Sequence, residues 1–249
     1  MKKSKKQFKS KSKILLILPS MNENKNLKIL LDQIYKVSHT FNILIINDNT
    51  RKEDVQFITN YVKKFKKIKF FFKFRKKRLG VGRAHKDGLI FAYNNKFDYA
   101  ITMDTDLAHD PKYIHTLLYK SNMYHLVVGS RFFYKESMPG LNFFRKFLSN
   151  TAFQVTKILF GHKYDSTNSF RCYNLSLLNK KFINFCKSNH YDFFFTSMAY
   201  FNKKNYLIRQ FPMQIHGRKN GYSKMTLHHI IKSLLMVFIV YVRILFVKR

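Results

Sequence analysis

Residues 99–111 have the sequence Tyr-Ala-Ile-Thr-Met-Asp-Thr-Asp-Leu-Ala-His-Asp-Pro, and this stretch is the most informative about the fold. Its first five residues form a mostly apolar run, which predicts a buried β-strand. The run passes directly into Asp104-Thr105-Asp106, and Pro111 follows at a position that suits the first turn of a helix. The stretch therefore predicts a strand that delivers two carboxylates to its carboxyl end and then leads into a helix.

Similar patterns continue on both sides of this stretch. Short apolar runs predict further strands at residues 14–18, 41–46, 68–74 and 126–129. Apolar residues at helical spacing predict helices at residues 27–34, 55–65, 82–93 and 143–153. We expect Asn22 or Asn24 to cap the first of these helices. Alternation of this kind indicates an α/β fold, with a mostly parallel sheet and helices on both faces.

Three polar clusters directly follow predicted strands, at residues 19–23, 47–50 and 104–109. In sheets of this kind, ligands bind at the carboxyl ends of the strands. We therefore expect the three clusters to share one edge of the sheet and to form a single candidate site.

The composition is strongly basic. The chain has 249 residues, enough for one α/β domain, with 47 Lys and Arg against 13 Asp and Glu and a formal charge of +34. This excess suits an anionic partner such as a phosphorylated substrate, an acidic lipid or nucleic acid. An AT-biased coding sequence is an equally good explanation for much of the charge, because Asn, Ile, Phe and Tyr are abundant as well. Cys172 and Cys186 show no metal-binding spacing and are expected to be reduced, as in a cytoplasmic protein.

Both ends of the chain differ from the predicted domain at residues 14–226. Residues 1–13 contain seven lysines and no apolar segment of a signal peptide, which predicts a disordered basic tail. Residues 227–249 are apolar, but their uninterrupted run, Leu234–Val242, is well short of the ~20 residues that a spanning helix needs. We predict an amphipathic C-terminal helix lying in a membrane interface. The alternative is a helix that packs on the core or on a membrane partner subunit.

Asp104 and Asp106 are the main candidates for chemistry. Carboxylates at this spacing can meet one hard cation, Mg²⁺ or Mn²⁺, which would bridge a diphosphate and neutralise a departing leaving group. Arginine and lysine side chains suited to phosphate binding follow later in the chain. The glycine-containing segment 79–84 is not a dinucleotide fingerprint, because its third glycine is missing where His85 stands. It predicts a turn from strand to helix near a nucleotide.

Several ordered segments resemble one family, the family 2 glycosyltransferases of the dolichol-phosphate mannose synthase type. The segments that carry the resemblance are Pro19-Ser20-Met21-Asn22-Glu23, Asn47-Asp48-Asn49-Thr50, Leu79-Gly80-Val81-Gly82-Arg83-Ala84, Met103-Asp104-Thr105-Asp106-Leu107-Ala108-His109-Asp110-Pro111, Gly129-Ser130-Arg131, Arg145 with Asn150, Asp165–Arg171 and Arg218–Lys224. Together they cover about residues 14–226.

The resemblance implies a GT-A fold, the Rossmann-like mixed sheet of nucleotide-diphospho-sugar transferases. It also implies inverting transfer of a sugar, with mannose from GDP-mannose as the first choice, to a polyprenyl or dolichyl phosphate at the cytoplasmic face of a membrane. The protein would be peripheral or monotopic, and nucleic acid would not be a partner.

The resemblance also assigns roles to residues. Metal binding falls to Asp104 and Asp106, and catalysis to Asp106 and Arg131. Donor binding falls to Pro19, Asn22, Glu23, Asn47, Asp48, Gly80, Asp104 and Asp106. Acceptor or phosphate binding falls to Arg131, Arg145, Ser149, Arg218, Ser223 and Lys224.

The sequence departs from the family pattern in three segments, at four positions. Asn47 replaces an acid, Ala108 replaces a serine, and Asn168-Ser169 replaces Ser-Gly. The last departure removes a residue that is free to adopt a positive φ angle.

Two alternatives remain open from the sequence. One is transfer of glucose or an N-acetylhexosamine from a UDP-sugar to undecaprenyl phosphate or to a glycan. A glycan hydroxyl would need a general base, and after residue 110 only Asp165 and Asp192 are plausible. We also expect Asp165 to orient Arg171 or to cap a helix. The other alternative is a basic module that binds nucleic acid, which would leave Asp104 and Asp106 unexplained.

Overall fold

The structure, a computed structural model, describes residues 12–38, 40–134, 137–139, 141, 143–215 and 227–247. Its strands are β1 Ile14–Ser20, β2 Asn42–Asp48, β3 Phe70–Arg75, β4 Tyr99–Thr102, β5 Leu126–Ser130, β6 Arg171–Asn174 and β7 Ile208–Pro212. Its α-helices are α1 Asn24–Val37, α2 Lys52–Val62, α3 Val81–Asn94, α4 Ile114–Ser121, α5 Phe143–Phe160, α6 Lys181–Phe185, α7 Asp192–Lys203 and α8 Leu227–Leu245. A short 3-10 helix, Pro111–Tyr113, leads into α4.

The seven strands form one mixed sheet in the order β3-β2-β1-β4-β6-β5-β7. Strand β6 runs antiparallel to both of its neighbours, β4 and β5, and all the other pairs are parallel. The predicted α/β architecture is therefore confirmed, with β6 as the antiparallel element that makes the sheet mixed. Because β1, β2 and β4 are parallel neighbours, their carboxyl ends meet at one edge.

A hydrophobic core lies on each face of the sheet. Leu15 and Ile17 of β1 point into the core built with α3, α7 and α8, whereas Leu16 and Leu18 point into the core built with α1, α2 and α4. Side chains alternate between the two faces of a strand, so a strand covered on both faces is apolar at every position. This is why residues 14–18 form a continuous apolar run.

The ends of two predicted helices can be compared with the structure. Helix α1 begins after Glu23 and has no side-chain cap, so the expectation of a cap from Asn22 or Asn24 is wrong. Asn22 instead adopts a φ angle of 54° in the turn before the helix. Pro111 does begin a helical segment, and the Asp110 carboxylate accepts a hydrogen bond from the Lys112 amide, at 2.9 Å.

Helix α8 packs on the domain with one face. Val237, Val240 and Ile244 are buried beside α7, and α8 also touches α5. The opposite face is apolar and exposed, at Leu235, Phe238, Ile239, Val242, Leu245 and Phe246. None of the helices in the described ranges is both long and apolar enough to cross a bilayer.

Candidate functional site

A cleft opens at the carboxyl ends of β1, β2 and β4. It encloses, with the open space at its mouth, about 770 Å³. Of the residues predicted from the sequence, the structure brings together here Pro19, Glu23, Asp48, Gly80, Asp104 and Asp106. The remaining lining residues are Ser20, Met21, Arg78, Val81, Ala84, Thr105, His190 and Tyr191. The three polar clusters thus meet at one edge of the sheet, as expected.

Negative charge is concentrated in this cleft. Burial raises the pKa of Asp104, and the nearby carboxylates of Asp106 and Glu23 raise it further. Asp104 Oδ2 accepts a hydrogen bond from the Ser169 hydroxyl at 2.6 Å, and Asp106 Oδ1 accepts one from the Ala108 amide at 3.1 Å. Because a bound cation would relieve the repulsion among these carboxylates, the arrangement suits a divalent metal ion.

The carboxylates alone do not complete a metal site. Across the described ranges, no three His, Cys, Asp or Glu side chains converge closely enough to hold a metal ion. Asp104 and Asp106 can contribute two ligands, so water or an anionic ligand would have to supply the others. Such a pair fits a metal that is bound jointly with a diphosphate better than a closed structural site.

Thr105 joins two loops of the cleft. Its hydroxyl lies 2.6 Å from Glu23 Oε2 and 2.9 Å from the Pro19 carbonyl oxygen. This contact fixes the loop after β1 against the loop after β4. Glu23 is therefore held close to the two aspartates.

Asp48 anchors the turn before α3. Its Oδ1 accepts a hydrogen bond from Arg75 Nη1 at 2.7 Å, and its Oδ2 accepts from the amides of Leu79 and Gly80, at 2.9 and 3.1 Å. Arg75 also donates to Asp87 on α3, at 2.6 Å. Both oxygens of Asp48 thus shape the wall of the cleft, in addition to any contact with a nucleoside.

The glycines of the predicted turn allow two chain segments to approach closely. Gly80 has a φ angle of 97°, and a Cβ atom there would lie 2.4 Å from the Asn189 carbonyl oxygen. A Cβ at Gly82 would lie 2.3 Å from the His190 carbonyl oxygen. The segment 189–190 therefore packs directly on the start of α3, which brings His190 and Tyr191 to the cleft.

A chain of hydrogen bonds connects the cleft to the segment before β6. The Asp104 amide donates to His109 Nδ1 at 3.3 Å, so His109 Nε2 is the donor towards Asn168 Oδ1, at 3.1 Å. Asn168 Nδ2 donates in turn to the Gly129 carbonyl oxygen, at 2.7 Å. Asn168 and Ser169 both have negative φ angles, so this departure from the family pattern causes no backbone strain.

Arg131 lies beyond this chain of hydrogen bonds and does not line the cleft. Its Nε and Nη2 donate to the two oxygens of Asp165, each at 3.0 Å, and Nη2 also contacts the Thr167 hydroxyl. Burial would raise the pKa of Asp165, but Arg131 outweighs that effect and lowers it. The expectation that Asp165 orients Arg171 is therefore wrong, because its partner is Arg131. Arg171 binds Ser197 and backbone carbonyl oxygens instead.

The other predicted residues lie elsewhere. Asn22 is exposed and does not line the cleft. Asn47 is buried next to Asp48, and no group among the described residues forms a hydrogen bond with its side-chain amide. Arg145 and Ser149 belong to α5, and Arg218, Ser223 and Lys224 lie outside the described residues.

Four further residues lie near the aspartates and are not among those predicted from the sequence. Arg78, His190 and Tyr191 line the cleft, and Ser169 binds Asp104. Arg78 directly precedes Leu79-Gly80, which could have marked it as a candidate. His190 and Tyr191 reach the cleft through a contact between segments about 100 residues apart, for which the sequence has no local signal.

Taken together, the fold and the cleft define an α/β protein with an acidic, cation-suited site at the carboxyl edge of its sheet. Residues 15–206 match the family model described as glycosyl transferase family 2. The chain belongs to that family, as its motifs predicted.

Individual relatives agree with this assignment. The chain is 22% identical over 214 residues to the polyprenol monophosphomannose synthase of Mycolicibacterium smegmatis, covering 85% of this chain and 80% of the relative. It shares its fold with the glucosyl-3-phosphoglycerate synthase of Mycobacterium tuberculosis, solved with Mn²⁺, UDP and phosphoglyceric acid, at a TM-score of 0.68, 13% identity and 97% and 81% coverage of the two chains.

A second solved structure with this fold is a mannosyltransferase of Pyrobaculum calidifontis in complex with GDP-Man and Mn²⁺. Its TM-score is 0.60 and its identity 10%, with 95% of this chain and 65% of that chain covered. The mixed sheet with flanking helices is thus the GT-A fold that the motifs implied.

Proposed function

We propose that this chain transfers a sugar, with inversion, from a nucleotide-sugar to a polyprenyl or dolichyl phosphate. Mannose from GDP-mannose is the first choice of donor. The observation that carries the proposal is the pair Asp104 and Asp106, which lines a cleft at the carboxyl edge of the sheet in a member of glycosyl transferase family 2. The similarity to a polyprenol monophosphomannose synthase supports the lipid phosphate as the acceptor.

Asp104 and Asp106 would hold the cation of this reaction, Mg²⁺ or Mn²⁺. When bound, such an ion supplies positive charge that stabilises the diphosphate leaving group. Glu23 and Asp48 line the same cleft and are proposed to face the nucleoside, together with Arg78. The chain's own contribution is therefore to orient the donor and to place its diphosphate beside the aspartates.

The acids available in the structure favour a phosphate acceptor over a hydroxyl acceptor. Asp165 and Asp192, the two plausible general bases, are both buried, and Asp165 is committed to Arg131. A lipid phosphate reaches the site already ionised, so it can attack the sugar without a strong base. Catalysis would then rest on positioning and on charge neutralisation.

Basic residues are proposed to receive the acceptor phosphate. Arg145, Arg218 and Lys224, with Ser149 and Ser223, remain the proposed acceptor group. Arg131 already shares its charge with Asp165, which favours a role in holding the segment 165–167 over direct contact with phosphate. This revises the catalytic role that the resemblance implied for Arg131.

A UDP-sugar is the second candidate donor. The similar solved structure with UDP and Mn²⁺ favours testing it, as does Asn47, which replaces an acid beside Asp48. Family membership accounts for Asp104 and Asp106, which a nucleic-acid-binding module would not, so we do not propose nucleic acid as a partner.

We further propose that the protein acts at the cytoplasmic surface of a membrane. The outward face of α8 is apolar, and the first turns of α5 add three exposed phenylalanines, Phe143, Phe144 and Phe147. Exposed apolar area of this extent is unusual for a soluble surface and is suited to a lipid interface. A membrane partner subunit is the alternative occupant of the same face.

A donor screen tests the proposed function. Purified protein would be incubated with radiolabelled GDP-mannose, UDP-glucose or UDP-GlcNAc and a polyprenyl phosphate, with and without Mn²⁺. We expect label to enter the lipid fraction from GDP-mannose only when Mn²⁺ is present. Asp106→Asn should abolish the transfer, whereas Asp32→Asn on the outer surface of α1 should not. Transfer of label only from a UDP-sugar would identify a UDP-sugar as the donor. Transfer without added metal would contradict the proposed role of the aspartates.

A further inference from the structure

His85 is a buried imidazole that the proposed function does not use. It lies on α3, next to Ala84 of the cleft wall, and its side chain is completely buried. Neither ring nitrogen has a hydrogen-bond partner among the described residues. Buried polar atoms without partners are uncommon and unfavourable, so an imidazole at this position needs an explanation.

The ring of His85 is held in a fixed orientation by aromatic neighbours. It packs edge-on against Phe194, with 4.8 Å between the ring centroids, and lies roughly parallel to Phe193 at 5.9 Å. Both phenylalanines belong to α7 and are buried in the hydrophobic core. The direction of the two nitrogens is therefore set by packing and not by a hydrogen bond.

One nitrogen of His85 lies near Asp104. Nε2 lies 4.0 Å from Oδ1 of Asp104, while the other carboxylate oxygen, Oδ2, accepts the hydrogen bond from Ser169. A hydrogen bond from an N–H group requires about 3 Å, so an approach of about 1 Å would create one. Each oxygen of Asp104 thus has one donor facing it.

His85 is suited to donate without carrying charge. Burial lowers its pKa to about 3, and the positive charge of Arg171 acts in the same direction. A neutral imidazole still has one N–H group, and it leaves the full negative charge of the carboxylate for a cation.

We propose that His85 is a positioning residue that donates a hydrogen bond from Nε2 to Oδ1 of Asp104 when a divalent cation is bound. His85 and Ser169 would then fix the carboxylate from its two sides. The inference rests on the proposed cation site at Asp104 and Asp106. Carboxylates that bind metals are commonly held by hydrogen bonds of this kind, and loss of such a partner weakens metal binding about 10- to 100-fold.

Binding of Mn²⁺ to the full chain, followed by the electron paramagnetic resonance signal of free Mn²⁺ with and without GDP, tests this inference. We expect His85→Phe, which keeps the aromatic packing, to raise the Kd for Mn²⁺ by about 10- to 100-fold. His85→Gln should remain within about threefold of the original chain, because its amide can place an N–H group near the position of Nε2. His162→Phe replaces another buried histidine, stacked near Phe160 and Tyr164, and should leave the Kd unchanged.

Thermal unfolding separates this role from a purely structural one. Removing unpartnered buried nitrogens should leave the Tm of His85→Phe equal or higher, while its affinity for Mn²⁺ falls. His85→Leu serves as a second variant if the phenylalanine does not fit, and the same loss of affinity is expected. An unchanged affinity for Mn²⁺ in the folded His85→Phe or His85→Leu variant would overturn the inference. The inference would also fail if His85→Gln bound Mn²⁺ as weakly as His85→Phe.

The variant Asp106→Asn separates a failure of the cation site from a failure of the role of His85. If Asp106→Asn loses Mn²⁺ binding and His85→Phe does not, only the role of His85 fails. If Asp106→Asn binds Mn²⁺ normally, the cation site and the role of His85 both fail.

Discussion

At the scale of single residues, the carboxylate of Asp104 accepts a hydrogen bond from a residue that is distant in the sequence. Ser169 comes from the segment before β6 and donates to Asp104 at 2.6 Å, at a position where the family pattern has glycine. A hydrogen bond to a charged group contributes about 1.5–3 kcal/mol. Ser169 therefore gives Asp104 a hydrogen-bond donor that a glycine at this position could not provide.

We expect Ser169→Ala to raise the Mn²⁺ concentration for half-maximal transfer about tenfold, because Asp104 loses the donor that holds Oδ2. The measurement is a Mn²⁺ titration of sugar transfer at a saturating donor concentration. Ser121→Ala removes another buried hydroxyl, bonded to the Leu117 carbonyl outside the cleft, and should leave the titration unchanged. Equal Mn²⁺ dependence in the two variants would show that Ser169 does not support Asp104.

Asp165 and Arg131 form a buried ion pair. Asp165→Asn should lower the free energy of unfolding by about 3 kcal/mol at pH 7, because Arg131 would keep its charge without a counter-ion. The pKa of Asp165 is lowered in the folded protein, so the stabilisation is complete above the unfolded pKa of about 3.9. This stabilisation is lost as the pH falls through the pKa that Asp165 has in the folded protein.

Urea unfolding of Asp165→Asn and the original chain at pH 7, 5 and 4, and below pH 4, measures this effect. The difference in the free energy of unfolding between the two proteins should stay constant from pH 7 to 5 and become smaller below about pH 4. A difference that grew on acidification would contradict the assigned ion pair.

At the scale of elements, the cleft depends on the close contact between α3 and the segment 186–191. Lys86 of α3 donates through Nζ to the carbonyl oxygens of Cys186 and Lys187 and to Asn189 Oδ1, at 3.1, 3.2 and 2.9 Å. These bonds, together with the absence of a side chain at Gly80 and Gly82, place the 190–191 wall next to the aspartates.

We expect Gly82→Ala to destabilise the protein by about 2 kcal/mol and to weaken donor binding. At an unhindered helical position, alanine would instead stabilise by about 1 kcal/mol, but here its Cβ would collide with the His190 carbonyl oxygen. Chemical denaturation and equilibrium binding of GDP measure the two effects.

Gly161→Ala serves as the comparison for this prediction. Gly161 has open space around it but a φ angle of 63°. The Gly161→Ala variant should therefore lose about 1 kcal/mol of stability through backbone strain and keep its affinity for GDP. Normal GDP binding by Gly82→Ala would mean that the 190–191 wall does not shape the donor site.

Elements with a local pattern could be predicted, and elements without one could not. Strands β1 to β5 and helices α1, α2, α3 and α5 each show an apolar run or a helical spacing that can be recognised within the segment, and Pro111 indicates the start of the helical segment that leads into α4. Helix α7 escaped prediction because its residues Asp192–Phe201 are all buried, so it has no polar face. Strand β6 is four residues long and begins and ends with buried polar side chains, Arg171 and Asn174, which conceal it.

The same distinction applies to the site. Glu23, Asp48, Asp104 and Asp106 follow strands, and the rule that parallel strands gather their carboxyl ends at one edge brought them together correctly. Contacts between distant segments, such as Ser169 with Asp104 or Asp165 with Arg131, have no pattern in the sequence. The proposed acceptor residues Arg218, Ser223 and Lys224 stay a prediction, because they lie outside the described residues.

At the scale of the whole molecule, the exposed apolar surface on α8 and α5 is the feature that bears on location. Phe238 and Phe246 are 66% and 82% exposed, and the inward face of α8 is already occupied by the core. We expect binding to vesicles of anionic phospholipid, because the chain carries a formal charge of +34 and the exposed apolar side chains can enter the interface.

Phe238→Gln combined with Phe246→Gln should weaken partitioning into such vesicles by at least about tenfold, since each phenylalanine contributes about 1 kcal/mol or more on burial. Vesicle co-sedimentation measures the partitioning. Tyr119→Gln with Met123→Gln removes two apolar side chains of similar exposure, 72% and 70%, near α4, and should have no effect. Equal binding by both double variants would assign the attraction to charge alone.

The proposed reaction depends above all on the joint binding of one cation by Asp104 and Asp106, against the diphosphate of the donor. Anomalous scattering from crystals grown with Mn²⁺ and GDP tests it most directly. We predict one Mn²⁺ peak within about 2.5 Å of a carboxylate oxygen of each aspartate, with GDP phosphate oxygens completing its coordination. A nucleotide bound in the cleft with Mn²⁺ away from both aspartates, or with no Mn²⁺ at all, would show that the two aspartates do not hold the cation.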